Sequence, residues 1–206
     1  TDVVVGTDGA IYLSDFFNDT SRRTNQLSGT IYRITRKARA NPRPPKIDFS
    51  SDAGLVAALQ GPARNVRTVA VNKLVARGDA VFGQMQQLFE SAENPYVRVR
   101  PIWVMAQLGT KGQGYVRKLL DSKDRQLRLV AYRALRFAQP EELVAMADKM
   151  ANDKDASVRR EVALSLRNVP YPEAKQALAQ VIAGYDGKNR WYLEAIGAAA
   201  DGRSDV

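Results

Sequence analysis

The sequence predicts a mainly α-helical chain: an α-solenoid of about five helical hairpins, preceded by a small three-stranded antiparallel β segment. Three observations carry that prediction. From Asp52 onward, apolar residues fall at helical spacing and the whole pattern recurs with a period near 31 residues. Residues 1–37 instead carry short β-branched and aromatic runs separated by turn residues. A basic, proline-rich stretch divides the two. With 206 residues, 45% hydrophobic and 26% charged, the chain has the composition of a globular protein with a packed core. The expected divisions are 1–37 for the β segment, 38–51 for the linker and 52–206 for the helical array.

The strands are expected at Val3–Val5, Ile11–Leu13 and Ile31–Ile34, all rich in residues that fit a pleated surface. Thr7-Asp8-Gly9 supplies a turn between the first two, because Asp accepts local backbone hydrogen bonds and Gly tolerates positive φ. Asn18 to Gly29 is polar and aperiodic, which predicts a loop. So small a sheet cannot bury a face by itself. The strands are therefore expected to dock on the first helical repeat around Ile47 and Phe49, or to pair with a second copy. In the linker, Arg36, Lys37, Arg39, Arg43 and Lys46 alternate with Pro42, Pro44 and Pro45, which disfavours helix.

The repeat is marked by an apolar residue followed by arginine: Val66-Arg67, Val97-Arg98, Leu127-Arg128 and Val158-Arg159, with Asn189-Arg190 as a degenerate copy. The arginines are 31, 30, 31 and 31 residues apart. Four residues earlier stand Ala63, Asn94, Asp124, Asp155 and Asp186, the last four of which can cap a helix by accepting bonds from its free amides. Apolar residues then follow at helical spacing, as in Leu127, Ala131 and Leu135, or Val158, Ala163 and Leu166. Upstream of each lies another helix, such as Leu55–Leu59 or Leu143–Met150. A hairpin of this size cannot cover its own apolar face, so neighbours must stack.

Helix pair, acidic cap, Val-Arg and a Leu seven residues on together resemble the HEAT repeat in a short form. The strand motif Thr7-Asp8-Gly9-Ala10-Ile11-Tyr12-Leu13, followed by Gly29-Thr30-Ile31-Tyr32-Arg33-Ile34, is similar to the last blade of sugar dehydrogenase-like β-propellers. The sequence of blade and repeats resembles the putative membrane-bound dehydrogenase family, whose members join a glucose/sorbosone dehydrogenase-like propeller, HEAT repeats and a c-type haem domain. That resemblance implies the junction of a larger periplasmic or extracellular protein, with the propeller as partner. Haem or a quinone would belong to the parent only; no cofactor is expected in this chain.

Zero cysteine and zero histidine exclude thiol nucleophiles, disulfides, zinc fingers, c-type haem attachment and imidazole-dependent catalysis here. No run reaches the length of a membrane span, and the start at Thr1 shows no signal core, which reads as a soluble piece of something longer. The net charge of +9 keeps acidic partners open. Arg67, Arg98, Arg128, Arg159 and Arg190, with the caps Asn94, Asp124, Asp155 and Asp186, form a ladder that either braces adjacent repeats or lines a partner groove. Lys118, Lys123, Arg125, Arg133, Arg136, Arg160 and Arg167 enrich the middle repeats in charge; nucleic-acid binding would need them on one face with aromatics between. Trp103, Tyr132, Phe137, Trp191 and Tyr192 read as core rather than a ligand pocket. Glu141-Glu142 read as first-turn residues after Pro140. Asp15, Asn18 and Asp19 miss the EF-hand spacing, and Gly109, Gly112 and Gly114 around Lys111 read as turn glycines rather than a phosphate loop. No catalytic, cofactor or metal residue is assigned. The expected function is a non-catalytic protein-interaction scaffold; the alternatives are a nucleic-acid-binding solenoid like the HEAT-like DNA glycosylases, or a remnant sugar-oxidising site at Asp2, Asp8 or Asp15.

Overall fold

The computed structural model describes residues 2–18, 27–37 and 43–203. It is mainly helical with a three-stranded antiparallel sheet at the N-terminus, consistent with a HEAT-like solenoid. Two compact units, residues 1–84 and 85–206, are each described by themselves. Among the described residues no helix is long and apolar enough to cross a membrane.

In the first unit, β1 (Asp2–Val5), β2 (Ile11–Asn18) and β3 (Leu27–Ile34) pair in the order β1-β2-β3. The β1–β2 turn closes through Gly6 N–H to the Ala10 carbonyl at 2.8 Å, with Gly9 at φ +77°, where a Cβ would be strained. Strands β2 and β3 are longer than the runs Ile11–Leu13 and Ile31–Ile34. Pairing carries on through Asp15↔Thr30 to Asn18↔Leu27, because ladder hydrogen bonds reward polar residues that intrinsic propensity leaves out. Residues 19–26, including Asp19 and the middle of the expected loop, lie outside the described residues, as do 38–42 of the linker, with Arg39 and Pro42.

The register Val3↔Leu13↔Tyr32 and Val5↔Ile11↔Ile34 puts six apolar side chains on one face of the sheet. That face stays open: Val3 is 62% exposed and Ile34 50%. The strands meet the rest of their unit at the turn, where Thr7 shares an apolar cleft of about 310 Å³ with Ile47, Ala57, Pro62 and Val66.

Helices α1 (Asp52–Gln60) and α2 (Arg64–Ala76) form the first hairpin. Ser51 caps α1 by accepting from the Gly54 amide at 3.0 Å. Leu55 and Leu59 of α1 and Ala70 and Leu74 of α2 are all buried where the two helices pack, the period-3.6 stripes that the sequence displays.

A 3₁₀ turn (Gly78–Val81) leads to α3 (Phe82–Ser91), followed by α4 (Pro95–Arg98) and α5 (Arg100–Met105). The sequence predicts one second helix here, but it is broken at Val99 because Pro101 has no amide to donate back to the preceding turn. Then come α6 (Thr110–Lys118), α7 (Arg125–Ala138), α8 (Leu143–Met150), α9 (Ala156–Ser165), α10 (Tyr171–Ala183) and α11 (Arg190–Ala200). Within the second unit, α5, α7, α9 and α11 pack successively as a row of second helices, and α8 and α10 pack as first helices behind them. Leu127, Ala131, Leu135, Val158, Ala163 and Leu166 are all buried in the shared core.

Gly112 shows why one of the glycines after Leu108 is needed. A Cβ there would press on the Met105 carbonyl oxygen and the Leu108 side chain, whereas one on Gly114 would meet open space. The role of Gly112 is thus close helix approach rather than a turn. Gly112→Ala is expected to destabilise by about 1–3 kcal/mol through overpacking, and Gly114→Ala to stabilise by about 0.5–1 kcal/mol through helix propensity. Urea denaturation of the two variants checks the opposite signs.

Candidate functional site

The arginine ladder is built by the caps. Asn94, Asp124 and Asp155 each accept a backbone amide of the first turn, from Tyr96 at 2.9 Å, Gln126 at 2.8 Å and Ser157 at 2.9 Å. The arginine four residues after each of these caps turns back on the preceding segment, and Arg67 does the same although its cap residue, Ala63, makes no side-chain bond. Arg67 donates to the carbonyls of Gly61 and Pro62, and Arg98 to that of Phe89, with its guanidinium 5.0 Å from the Phe89 ring centre. Arg128 donates to Ser122 and Lys123, and Arg159 to Asp153.

Arg128 and Arg159 also reach forward 25 residues, into the corresponding turn of the next unit. Arg128 makes a bidentate pair with the Asp153 carboxylate at 2.6 and 2.7 Å, and only 4% of its surface is exposed. Arg159 donates to the Gly184 carbonyl at 2.9 Å and to the Tyr192 hydroxyl at 3.0 Å. Each guanidinium therefore ties the turns of two successive repeats. Asp153 escaped the sequence reading; its signal was an acidic residue two before the cap, one repeat beyond Arg128.

The fifth repeat departs from the expected ladder. Asp186 does not cap α11. Asn189 does, accepting from the Tyr192 amide at 3.1 Å, while Asp186 accepts from Lys188 within a turn that contains Gly187 at φ +75°. The cap moves three residues later in the repeat, from Asp186 to Asn189. Arg190 thereby becomes the first helical residue, leaves the ladder and pairs on the surface with Glu194 at 3.3 Å.

The Ser157 hydroxyl, more than any other group, holds the Asp155 carboxyl below the usual carboxylate range, with the Ser157 amide and Arg125 adding to it. A carboxyl lowered in the folded state contributes stability above its unfolded value and loses it as pH falls through the folded one. Asp155→Ala is accordingly expected to cost about 1 kcal/mol at pH 7. The gap in melting temperature between wild type and variant should shrink steadily below pH 4.

The other candidates are structural in their placement. Asp8 accepts from the Ala10 amide, Arg33 and Tyr12, and these partners, the amide foremost, keep its carboxyl below the ordinary range. Asp2 holds the opposite end of the sheet through Ser14. Asp15 lies within β2 opposite Thr30, and Asn18 ends that strand, so the two are strand residues and not one loop. Glu142 pairs with Arg117, which lowers the Glu142 carboxyl. Among the described residues no group of three metal-ligating side chains comes together. Tyr132 and Tyr192 are core; burial pushes the Tyr132 phenol up to about 12, and its hydroxyl bonds Ser165 at 2.7 Å.

Phe137 and Trp191 are not core. They stand 66% and 71% exposed, Phe137 near the end of α7 and Trp191 at the start of α11. A groove of about 340 Å³ on α7, α9 and α11 is lined by Arg133, Arg160, Glu161, Leu164, Trp191 and Glu194. Trp103, Arg133 and Leu164 occupy the same repeat position, five after the ladder arginine, so overlaying the repeats would have revealed the row. Trp103 meets Phe137 edge-on with ring centres 6.2 Å apart. Glu161, buried under the groove, receives Arg133 and, at 3.2 Å, Arg136.

A family model of HEAT repeats matches residues 115–197, the segment that contains this groove, and supports reading the helical array as HEAT repeats. No curated protein matches the chain.

Proposed function

We propose that the chain is a non-catalytic protein-interaction scaffold that recognises its partner through the exposed face of α7, α9 and α11. One observation carries this: Trp191 and Leu164, 71% and 45% exposed, line one groove together with Arg133 and Arg160, and Phe137, 66% exposed, lies on the same row of second helices. Exposed aromatics beside arginine are the residue types that dominate binding energy at protein interfaces. HEAT repeats generally mediate protein interaction, which agrees with the match over residues 115–197.

The finer reading is that this scaffold is the junction of a larger periplasmic or extracellular dehydrogenase-like protein, with any haem or quinone held by the parent. The strand motif supports it, and so does the open apolar face of Val3, Leu13, Tyr32 and Ile34, a surface suited to cover by further sheet from the parent's propeller.

The test of the interaction surface is capture with the immobilised full chain, comparing wild type, Arg160→Glu/Trp191→Ala, and the control Lys175→Glu/Ile182→Ala on α10. Proteins retained by wild type and control, lost by the groove variant and indifferent to nuclease are the expected result. An unchanged protein set on the groove variant, or material that nuclease removes, would contradict the proposal.

A further inference from the structure

The charges around the groove are unequally used. Glu161 is shared by Arg133 and Arg136, and Glu194 is already taken by Arg190. Arg160 lines the groove with neither an ion pair nor a hydrogen bond among the described residues. The lining itself holds two arginines and two glutamates; Arg136 and Arg190, which pair with those glutamates, make four arginines against two carboxylates in and around the groove, and one guanidinium, that of Arg160, is free to fork onto a carboxylate. Beside it, Trp191 and Leu164 leave large apolar surfaces in water.

The volume, about 340 Å³, is at the small end for a ligand site and suits one or two side chains rather than a folded surface. Two glutamates in the lining oppose a polyphosphate track, which would meet Glu194 at the rim and gain from only one unpaired arginine.

Resting on the interaction reading above, we propose that this groove binds an acidic peptide segment with one aromatic or large aliphatic anchor. Arg160 takes a carboxylate of the segment while Trp191 and Leu164 receive the anchor. Arg133 and Arg136, oriented by buried Glu161, hold the wall and add long-range attraction. Trp191 is exposed and Arg160 half-buried, and neither belongs to the packed core, so replacing them leaves that core intact.

The experiment titrates the full chain with a fluorescein-labelled peptide of aspartates and glutamates around a single phenylalanine, at physiological salt. Comparison probes are the same peptide with phenylalanine replaced by serine, a lysine peptide with the same anchor, and oligothymidylate. Saturable binding of the first probe is expected, with a loss of about tenfold or more in Arg160→Glu and in Trp191→Ala. Lys175→Glu, an equal charge change on α10, should lose less than about threefold. The anchorless and lysine peptides should bind at least about tenfold more weakly.

Equal binding of the anchorless peptide, equal loss in Lys175→Glu, or indifference to both groove substitutions would overturn the proposal. So would tighter binding of oligothymidylate that the same substitutions abolish, which would mark a nucleic-acid surface. If capture of proteins still depends on Arg160 and Trp191 while the acidic peptide fails to bind, the partner chemistry is wrong and the interaction surface stands. If capture is independent of them, the surface itself is wrong.

Discussion

Asp153→Ala is expected to cost about 3–5 kcal/mol, since it removes one partner of a buried ion pair and strands the other. Arg128 is only 4% exposed, and both of its outer nitrogens are committed, to the Asp153 carboxylate and to the carbonyls of Ser122 and Lys123. Without the carboxylate the guanidinium keeps its charge, because arginine does not deprotonate in proteins, and it must be hydrated or left unpaired; the upward push on its pKa comes chiefly from the Asp153 hydrogen bonds and is lost with them. The effect is also cooperative across repeats, because Asp153 anchors both directions of the ladder: its side chain takes Arg128 and its carbonyl takes Arg159. The double replacement Arg128→Met/Asp153→Leu should recover much of the loss, as apolar pairs of similar volume often replace buried ion pairs at little cost. Urea denaturation of the single and double variants measures this. A loss under about 1 kcal/mol for Asp153→Ala would mean that water reaches the pair.

Leu135→Ala is expected to cost about 2–5 kcal/mol. Leu135 is completely buried in α7, the central second helix, between α5 and α9. Removing its isobutyl group loses transfer free energy and leaves a cavity that three helices would have to shift to fill. Phe137, two residues on, is the internal control: at 66% exposure its truncation should change stability by no more than about 0.5 kcal/mol while weakening partner binding. Equal destabilisation by the two would show that the apolar stripe of α7 does not face the core.

Much of this fold is legible because the repeat states it several times. Val-Arg, the acidic cap and the Leu seven residues later are constraints of a single hairpin that must bury the same face against each neighbour, so the 31-residue register reports helix starts and core positions together. Local exceptions override the register where backbone chemistry is decisive. Pro101 splits a helix, and the inserted turn around Gly187 moves the last cap from Asp186 to Asn189 and takes Arg190 off the ladder. Both signals are in the sequence, but periodicity averages over them.

The groove was less legible. Arg133 and Arg160 are visible as charges and Trp191 as an aromatic, yet whether they meet depends on how α7, α9 and α11 pack and on the three-residue shift before α11. Aromatic residues at helical spacing read as core by burial statistics, which holds for Tyr132 and Tyr192 and fails for Phe137 and Trp191. Asp153 was hidden for a different reason. Its partner lies one repeat earlier, and a contact over 25 residues leaves no mark on local spacing.

The central claim is that the face formed by α7, α9 and α11 is where a protein partner binds. Site-specific photocrosslinking tests it most directly, with a benzophenone side chain placed at position 137, 164 or 191 of the full chain and, for comparison, at position 175 or 182 on α10. The account predicts crosslinks to a common protein from the first three positions and none from the other two. The same partner crosslinking from 175 or 182, with 137, 164 and 191 silent, would contradict it.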